Sequence, residues 1–197
     1  MSMTITGLLL AGGRGMRMGG VDKGLQEFRG MPMTRHVLER LARQVDKVAI
    51  NANQNLDVYR SFGYPVLPDH MGEFPGPLAG LHTGLVECDT AYLATAPCDS
   101  PFLPMDLVAR LKDALDGSRA HVAFAVTGHG EARQSHPVFC LLKASDALPG
   151  LVRYLERGGR RMEAWMREQA AVEVNFPDDD AFRNINTLEE LKKLETP

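Results

Sequence analysis

The sequence lacks the features that would point to a secreted, membrane-spanning or strongly basic protein. Its three cysteines, Cys88, Cys98 and Cys140, are odd in number and have no C-x-x-C spacing. This count argues against a disulfide framework or a structural zinc site, so we expect a reducing compartment, the cytoplasm. No apolar run approaches the ~18 residues of a transmembrane helix, and we expect no membrane partner.

Charge is nearly balanced, with 22 basic and 25 acidic residues and a net charge of −3. Nothing global therefore indicates a nucleic acid partner. The first residues lack the basic region of a signal peptide, and their apolar run is better explained as a first strand. With 197 residues, 44% of them hydrophobic, the chain suits one α/β domain over residues 1–197.

Apolar segments typical of strands alternate with segments of helical periodicity. The predicted strands are 5–11, 47–52, 65–67, 91–96, 121–127, 137–142 and 172–176. The predicted helices are 33–43, 56–62, one that begins near 77, 105–115, 146–155, 160–168 and 187–194, and we expect a polar loop at 128–136. This alternation predicts a mostly parallel sheet with helices on both faces.

A loop rich in glycine and basic residues follows the first strand. Glycines occupy positions 12, 13, 15, 19 and 20, with Arg14, Arg17 and Lys23 among them. Backbone N–H groups in such a loop can bind an anion, so the loop predicts a nucleotide phosphate site. It is not a P-loop, because Gly24 follows Lys23, and it is not a dinucleotide fingerprint, because Met18 replaces the third glycine.

Polar residues end three of the predicted strands, at Asn51, Asp69 and Asp99. In an open α/β sheet the carboxyl ends of the strands meet at one edge, so we expect these side chains to converge. Asp99 suits Mg²⁺, which takes one or two carboxylates plus phosphate oxygens, and it equally suits a helix N-cap. Asn51 and Asp69 suit recognition of a base, although an Asx turn and an N-cap explain each one alone.

The glycine-rich loop resembles L-A-G-G-x-x-x-R-M-G-x-x-K, the signature of nucleotidyltransferases built on a Rossmann-like domain. Its continuation GGVDKGL is most similar to the molybdenum cofactor guanylyltransferase family. The similarity extends to P-C-D-S-P around Asp99, to PGPLAGL at 75–81 and to N-x-N-T-x-E-E-L at 184–191. The resemblance implies a three-layer Rossmann-like nucleotidyltransferase fold, and transfer of GMP from GTP to molybdopterin or its molybdenum-loaded form with release of pyrophosphate.

The resemblance also implies roles for individual residues. Those matched to GTP binding are Leu10, Ala11, Gly12, Gly13, Lys23, Asn51, Asp69 and Asp99. Arg17, Lys23 and Asp99 would be catalytic, with Asp99 holding Mg²⁺, and no general base is needed because the attacking phosphate is already ionised. The candidates for molybdopterin are Gly76, Gly80, Asn184 and Asn186. Arg157, Arg160, Arg161 and His136 would face that substrate, although a solvated helix face explains the arginines equally well.

Several alternatives stay open from the sequence. A cytidylyltransferase for the same pterin and a sugar-phosphate nucleotidyltransferase share the mechanism, and only Gly12 in place of alanine favours guanylyl transfer. A nucleotide sensor or cofactor chaperone would bind GTP without chemistry, and a dehydrogenase is disfavoured by Met18. We expect a monomer that meets a molybdenum insertase or an apo-molybdoenzyme. Thr187 and Glu190 form an S/T-x-x-E capping box ahead of the last helix.

Overall fold

The computed structural model describes residues 4–11, 22–70 and 76–195. The strands are β1 Ile5–Leu10, β2 Glu27–Phe28, β3 Met31–Pro32, β4 Lys47–Asn51, β5 Val66–Leu67, β6 Tyr92–Pro97, β7 Val122–Thr127, β8 Gln134–Lys143 and β9 Val172–Phe176. The helices are α1 Met33–Leu41, α2 Leu56–Arg60, α3 Pro77–Glu87, α4 Leu107–Asp116, α5 Ala144–Glu156, α6 Met162–Glu168 and α7 Leu188–Glu195. Each of these helices is too short or too polar to cross a bilayer.

Seven strands form one sheet in the order β5-β4-β1-β6-β8-β7-β9. β8 pairs antiparallel with β6 and β7, and the other pairings are parallel. The predicted α/β class with a mostly parallel sheet is therefore confirmed. The chain leaves β1 toward β4 on one side and later returns to β6 on the other, so the switch in strand order lies at β1.

Both faces of the sheet are buried, which explains why β1 is apolar at nearly every position. Leu9 packs into one core with residues of α1 and α4, while Leu8 and Leu10 pack into the other with residues of α3, α5 and α6. A small third core joins Phe28 of β2 to Ile185 and to α7. This third core fixes the segment before α7 against the β2–β3 hairpin and the start of α1.

One predicted element was wrong, and one observed element was not predicted. Residues 134–136 belong to β8 and pair with the end of β7, so the predicted polar loop was wrong there. The register between β7 and β8 shifts between Phe124 and Ala125, and this irregularity lets a polar segment continue the ladder. β2 and β3 form a hairpin whose two-residue turn, Arg29 and Gly30, has positive φ at both positions.

Candidate active site

A cleft opens at the carboxyl ends of β1, β4 and β6, where the sheet topology places a ligand site. The cleft is lined by the ends of strands, by the turn at Lys23, by the start of α3 and by the segment before α7. The lining residues are Leu10, Ala11, Asp22, Lys23, Asn51, Asp69, Gly76, Pro77, Pro97, Cys98, Asp99, Val138 and Asn184. The predicted site residues Gly12, Gly13 and Arg17 lie outside the described residues.

Asp99 occupies the centre of this cleft, just after β6. Its side chain is only 13% exposed, and the Lys23 Nζ lies 3.7 Å from its Oδ2. Burial raises the pKa of the Asp99 carboxyl, and the nearby Lys23 charge lowers it only in part. The carboxylate is therefore poorly hydrated and incompletely neutralised, which favours the approach of a second cation.

The donor set around Asp99 bears on the predicted magnesium ion. Within residues 4–11, 22–70 and 76–195, no cluster of three or more His, Cys, Asp or Glu side chains could hold a metal. Mg²⁺ needs no such cluster, because it is commonly bound by one or two carboxylates together with substrate phosphates and waters. The largely buried carboxylate of Asp99 fits that mode of binding.

Lys23 begins a short 3-10 turn, Lys23–Leu25, whose first N–H groups are capped by Asp22. Its Nζ donates a hydrogen bond of 2.6 Å to Asn186 Oδ1, across 163 positions of sequence. The ammonium group thus lies between Asp99 and the segment before α7. A lysine held there is placed to neutralise phosphate oxygens bound over Asp99.

Asn51 and Asp69 form the polar wall on the β4 side. Asn51 is 2% exposed, and its Nδ2 donates to Leu67 O at 3.0 Å and to Asp69 Oδ1 at 2.8 Å. Asn53 donates to the other Asp69 oxygen at 2.7 Å and accepts from the Asp69 N–H at 2.8 Å. The carboxylate is fixed in one orientation, with lone pairs left to accept two parallel N–H donors such as those on guanine.

Gly76 and Gly80 shape the helix that faces this wall. Gly76 precedes α3 with φ +105°, a backbone conformation that favours glycine. A Cβ on Gly80 would overlap Asn51 Oδ1 and lie 2.8 Å from Leu10 Cδ2. Gly80 therefore allows α3 to pack against Asn51, a contact on the β4 side of the cleft. The molybdopterin role assigned to both glycines stays a prediction.

Asn184 and Asn186 belong to the segment that precedes α7. Asn184 Oδ1 accepts from the buried Ser100 hydroxyl at 2.5 Å, and the intervening Ile185 N–H donates to Asp99 O at 2.9 Å. The capping box is present: the Glu190 N–H donates to Thr187 Oγ1, and Glu190 Oε2 accepts from the Thr187 N–H. The segment is therefore held by Asp99 and Ser100 at one end and by the first turn of α7 at the other.

A second cavity adjoins the cleft and shares Pro97, Val138 and Asn184 with it. His136 lines this cavity, stacks on Phe182 at 4.8 Å between ring centroids, and lies 2.8 Å through Nε2 from the Thr127 hydroxyl. Burial lowers the pKa of His136, so the ring is neutral at neutral pH. Its predicted proximity to a second substrate remains a prediction.

The three arginines Arg157, Arg160 and Arg161 lie between α5 and α6 and contact residues of that region. Arg157 donates to Glu168 at 2.7 Å, Arg160 donates to Gly159 O, and Arg161 O accepts from the Tyr154 hydroxyl. As far as the described residues define the two cavities, none of these arginines lines either one. Their partners indicate a structural role at the joint between the two helices.

Asp22 is a cleft residue that the sequence interpretation missed. Its carboxylate accepts hydrogen bonds from Gly24 N, Tyr59 OH and Asn55 Nδ2. The one available signal was its position, since an aspartate two residues before a glycine in a turn is a common N-cap. Nothing in the sequence indicated that Tyr59 of α2 and Asn55, the residue before α2, supply two of its donors.

Comparison with known proteins decides the family. The model of the MobA-like NTP transferase domain matches residues 7–172. The chain belongs to this family. This MobA-like transferase is 55% identical over 195 residues to a molybdenum cofactor guanylyltransferase of Ralstonia pickettii, with 96% of this chain and 95% of the relative covered. A protein of the same name from Cupriavidus metallidurans is 55% identical over 193 residues, covering 98% and 95%. The predicted family is confirmed.

Solved structures agree on the fold of this MobA-like transferase. Molybdopterin-guanine dinucleotide biosynthesis protein A from Archaeoglobus fulgidus superposes with a TM-score of 0.72 at 20% identity, covering 96% of each chain. A 4-diphosphocytidyl-2C-methyl-D-erythritol synthase from Anaerococcus prevotii superposes with a TM-score of 0.78 at 12% identity, covering 98% and 95%. The nucleotidyltransferase fold is thus confirmed, while at such identities neither neighbour bears on the substrate.

Proposed function

We propose that this chain transfers GMP from GTP to the terminal phosphate of molybdopterin or its molybdenum-loaded form. The product is the guanine dinucleotide form of the cofactor, and pyrophosphate leaves. The observation that carries the proposal is the pairing of Lys23 with Asp99 in the cleft. The chain that holds this pair is 55% identical, over nearly its full length, to proteins named molybdenum cofactor guanylyltransferase.

The chemistry requires little from the protein beyond placement of charge. A phosphate oxygen of molybdopterin attacks the α-phosphorus of GTP, a new P–O bond forms, and the bond to the β-phosphate oxygen breaks. The nucleophile is ionised at neutral pH, so no general base is needed. Catalysis then rests on holding two polyanions in line and on stabilising the charge that develops on pyrophosphate.

Lys23 and Asp99 are the residues that we assign to this charge placement, together with Arg17 and the N–H groups of the glycine-rich loop, including Gly12 and Gly13. Asp99 would hold Mg²⁺, which supplies Lewis-acid polarisation of phosphate oxygens when bound. Lys23 lies 3.7 Å from the same carboxylate and would neutralise phosphate charge beside it. Both groups are largely buried, which strengthens the attraction of Lys23 for a bound anion and of Asp99 for a bound cation.

We assign guanine recognition to the Asn51–Asp69 wall and molybdopterin recognition to the other side of the cleft. Asp69 accepts from two amide side chains, so its orientation is set before a base arrives. Asn184 lines both the cleft and the second cavity, and Asn186 accepts a hydrogen bond from Lys23, so the second cavity offers space for a second substrate beside them. We also propose that the protein acts as a monomer and passes its product to a molybdenum insertase or an apo-molybdoenzyme.

The test is pyrophosphate release with each of the four nucleoside triphosphates, with and without molybdopterin and Mg²⁺. Release with GTP alone that needs both additions supports the proposal. Release with CTP would keep the mechanism and refute the guanine assignment of Asn51 and Asp69. Tight GTP binding without release under any condition would refute the enzyme assignment and favour a sensor or chaperone.

A further inference from the structure

Tyr59 lies outside the cleft lining, yet it contacts a residue next to Lys23. Its side chain is fully buried in α2, and its hydroxyl donates to Asp22 Oδ1 at 2.7 Å. Asp22 Oδ1 also accepts from Gly24 N at 3.2 Å, and this bond caps the turn that begins at Lys23. Tyr59 is therefore two hydrogen bonds away from the backbone that carries the Lys23 side chain.

Asn55 also holds Asp22, and it does so instead of capping its own helix. It precedes α2 with φ +50° and ψ +35°, and its side chain does not cap its own helix. Instead its Nδ2 donates to Asp22 Oδ2 at 3.0 Å. An asparagine at an N-cap normally accepts from its own helix, so α2 gives up a stabilising bond while holding Asp22.

Neighbouring side chains fill the space around Gly24. A Cβ there would meet Thr34 Oγ1 at 2.5 Å, and both Cys98 Sγ and the Tyr59 hydroxyl at 2.9 Å. The turn is thus packed directly on Tyr59 and on the residue beside Asp99. Burial, together with the nearby Asp22 carboxylate, raises the pKa of Tyr59 far above its usual range, so the hydroxyl keeps its proton and can donate it to Asp22.

We propose that Tyr59 is a positioning residue for Lys23, acting through the carboxylate of Asp22; this inference rests on the proposed function of Lys23 at the triphosphate. Three donors hold Asp22 facing α2. Without the shortest of them, the carboxylate is released to pair with the Lys23 ammonium or to repel the triphosphate, and the capped turn loosens. In either case Lys23 loses the placement that lets it neutralise phosphate charge.

The test compares Tyr59→Phe with Tyr154→Phe. Tyr154 is a matched control, because it is also buried and donates one hydrogen bond, to Arg161 O at 3.0 Å, far along the chain in α5. We expect Tyr59→Phe to weaken GTP·Mg²⁺ binding and to lower kcat on the order of tenfold each, as loss of a hydrogen bond to a charged group would. Tyr154→Phe should leave both unchanged, even where it lowers the melting temperature equally.

A double-mutant cycle decides whether Tyr59 works through Lys23. In a Lys23→Ala background, Tyr59→Phe should cause no further loss of binding or kcat, because the group that it positions is already absent. A full further loss, or an equal loss in Tyr154→Phe, would overturn the proposal and leave Tyr59 a packing residue. GTP·Mg²⁺ binding is read without chemistry, so a wild type that releases no pyrophosphate refutes the proposed function while the binding cycle still decides on Tyr59.

Discussion

Gly80→Ala should damage nucleotide binding although it adds a single methyl group. In an exposed helix interior this change stabilises by about 1 kcal/mol, because alanine has the higher helix propensity. Here the new Cβ overlaps Asn51 Oδ1 and comes within 2.8 Å of Leu10 Cδ2, and overpacking of that kind costs about 1–3 kcal/mol. Displacing the Asn51 amide also strains its bonds to Leu67 O and Asp69, worth about 1 kcal/mol each. The losses exceed the gain, and we expect a net cost of about 1–3 kcal/mol.

The assay pairs thermal unfolding with GTP titration by calorimetry. At about 2–4 °C per kcal/mol for a chain of this size, the melting temperature should fall by about 2–12 °C, and GTP affinity should fall about tenfold or more. Gly84→Ala is the control: it lies one turn further along α3, and its Cβ would overlap the Leu8 side chain rather than Asn51. It should lose stability and keep GTP affinity. A Gly80→Ala protein as stable as wild type, with unchanged affinity, would refute the packing argument.

Three further predictions follow from individual side chains. Asp99→Asn removes a carboxyl group whose pKa burial raises, so the free protein should melt at a higher temperature because the cost of burying the charge is removed. Turnover should fall on the order of 10²-fold, and a lower melting temperature would contradict the burial argument. Thr187→Ala removes the acceptor for the Glu190 N–H. Urea unfolding should therefore show a free energy of unfolding lower by about 1 kcal/mol, and an unchanged value would show that the cap does not stabilise the protein. Burial lowers the pKa of His136 in the folded chain. Its contribution to the free energy of unfolding is therefore present above about pH 6.5 and is lost as the pH falls below that value, because the unfolded state takes up the proton first. His136→Gln should flatten the decline in unfolding free energy on the acid side, and superimposable pH profiles of the two proteins would exclude this contribution.

The sequence predicted the meeting of Asn51, Asp69 and Asp99 because strand order and strand direction alone determine it. Each residue follows an apolar strand, and parallel strands end at the same edge. The prediction needed no knowledge of side-chain contacts. The capping box at Thr187 was predictable for a similar reason, since both of its partners lie within one helical turn.

Contacts between remote elements were not predictable in this way. The bonds from Tyr59 and Asn55 to Asp22 depend on how a five-residue helix docks, and helical periodicity in so short a segment carries no docking information. The start of β8 was missed because residues 134–136 are polar and continue the ladder only through a register shift with β7. In both cases tertiary packing overrides the local pattern.

The hydrogen bond between Lys23 and Asn186 has a consequence for when the protein becomes competent during synthesis. The two residues are 163 positions apart, so a ribosome that adds 5–20 residues per second needs about 8–33 s after Lys23 before Asn186 exists. During that interval β1 and the Lys23 turn are already made, yet Lys23 lacks its partner and Asp99 lacks the backbone bond from Ile185. A nascent chain therefore cannot complete these two contacts until nearly the whole sequence has been made.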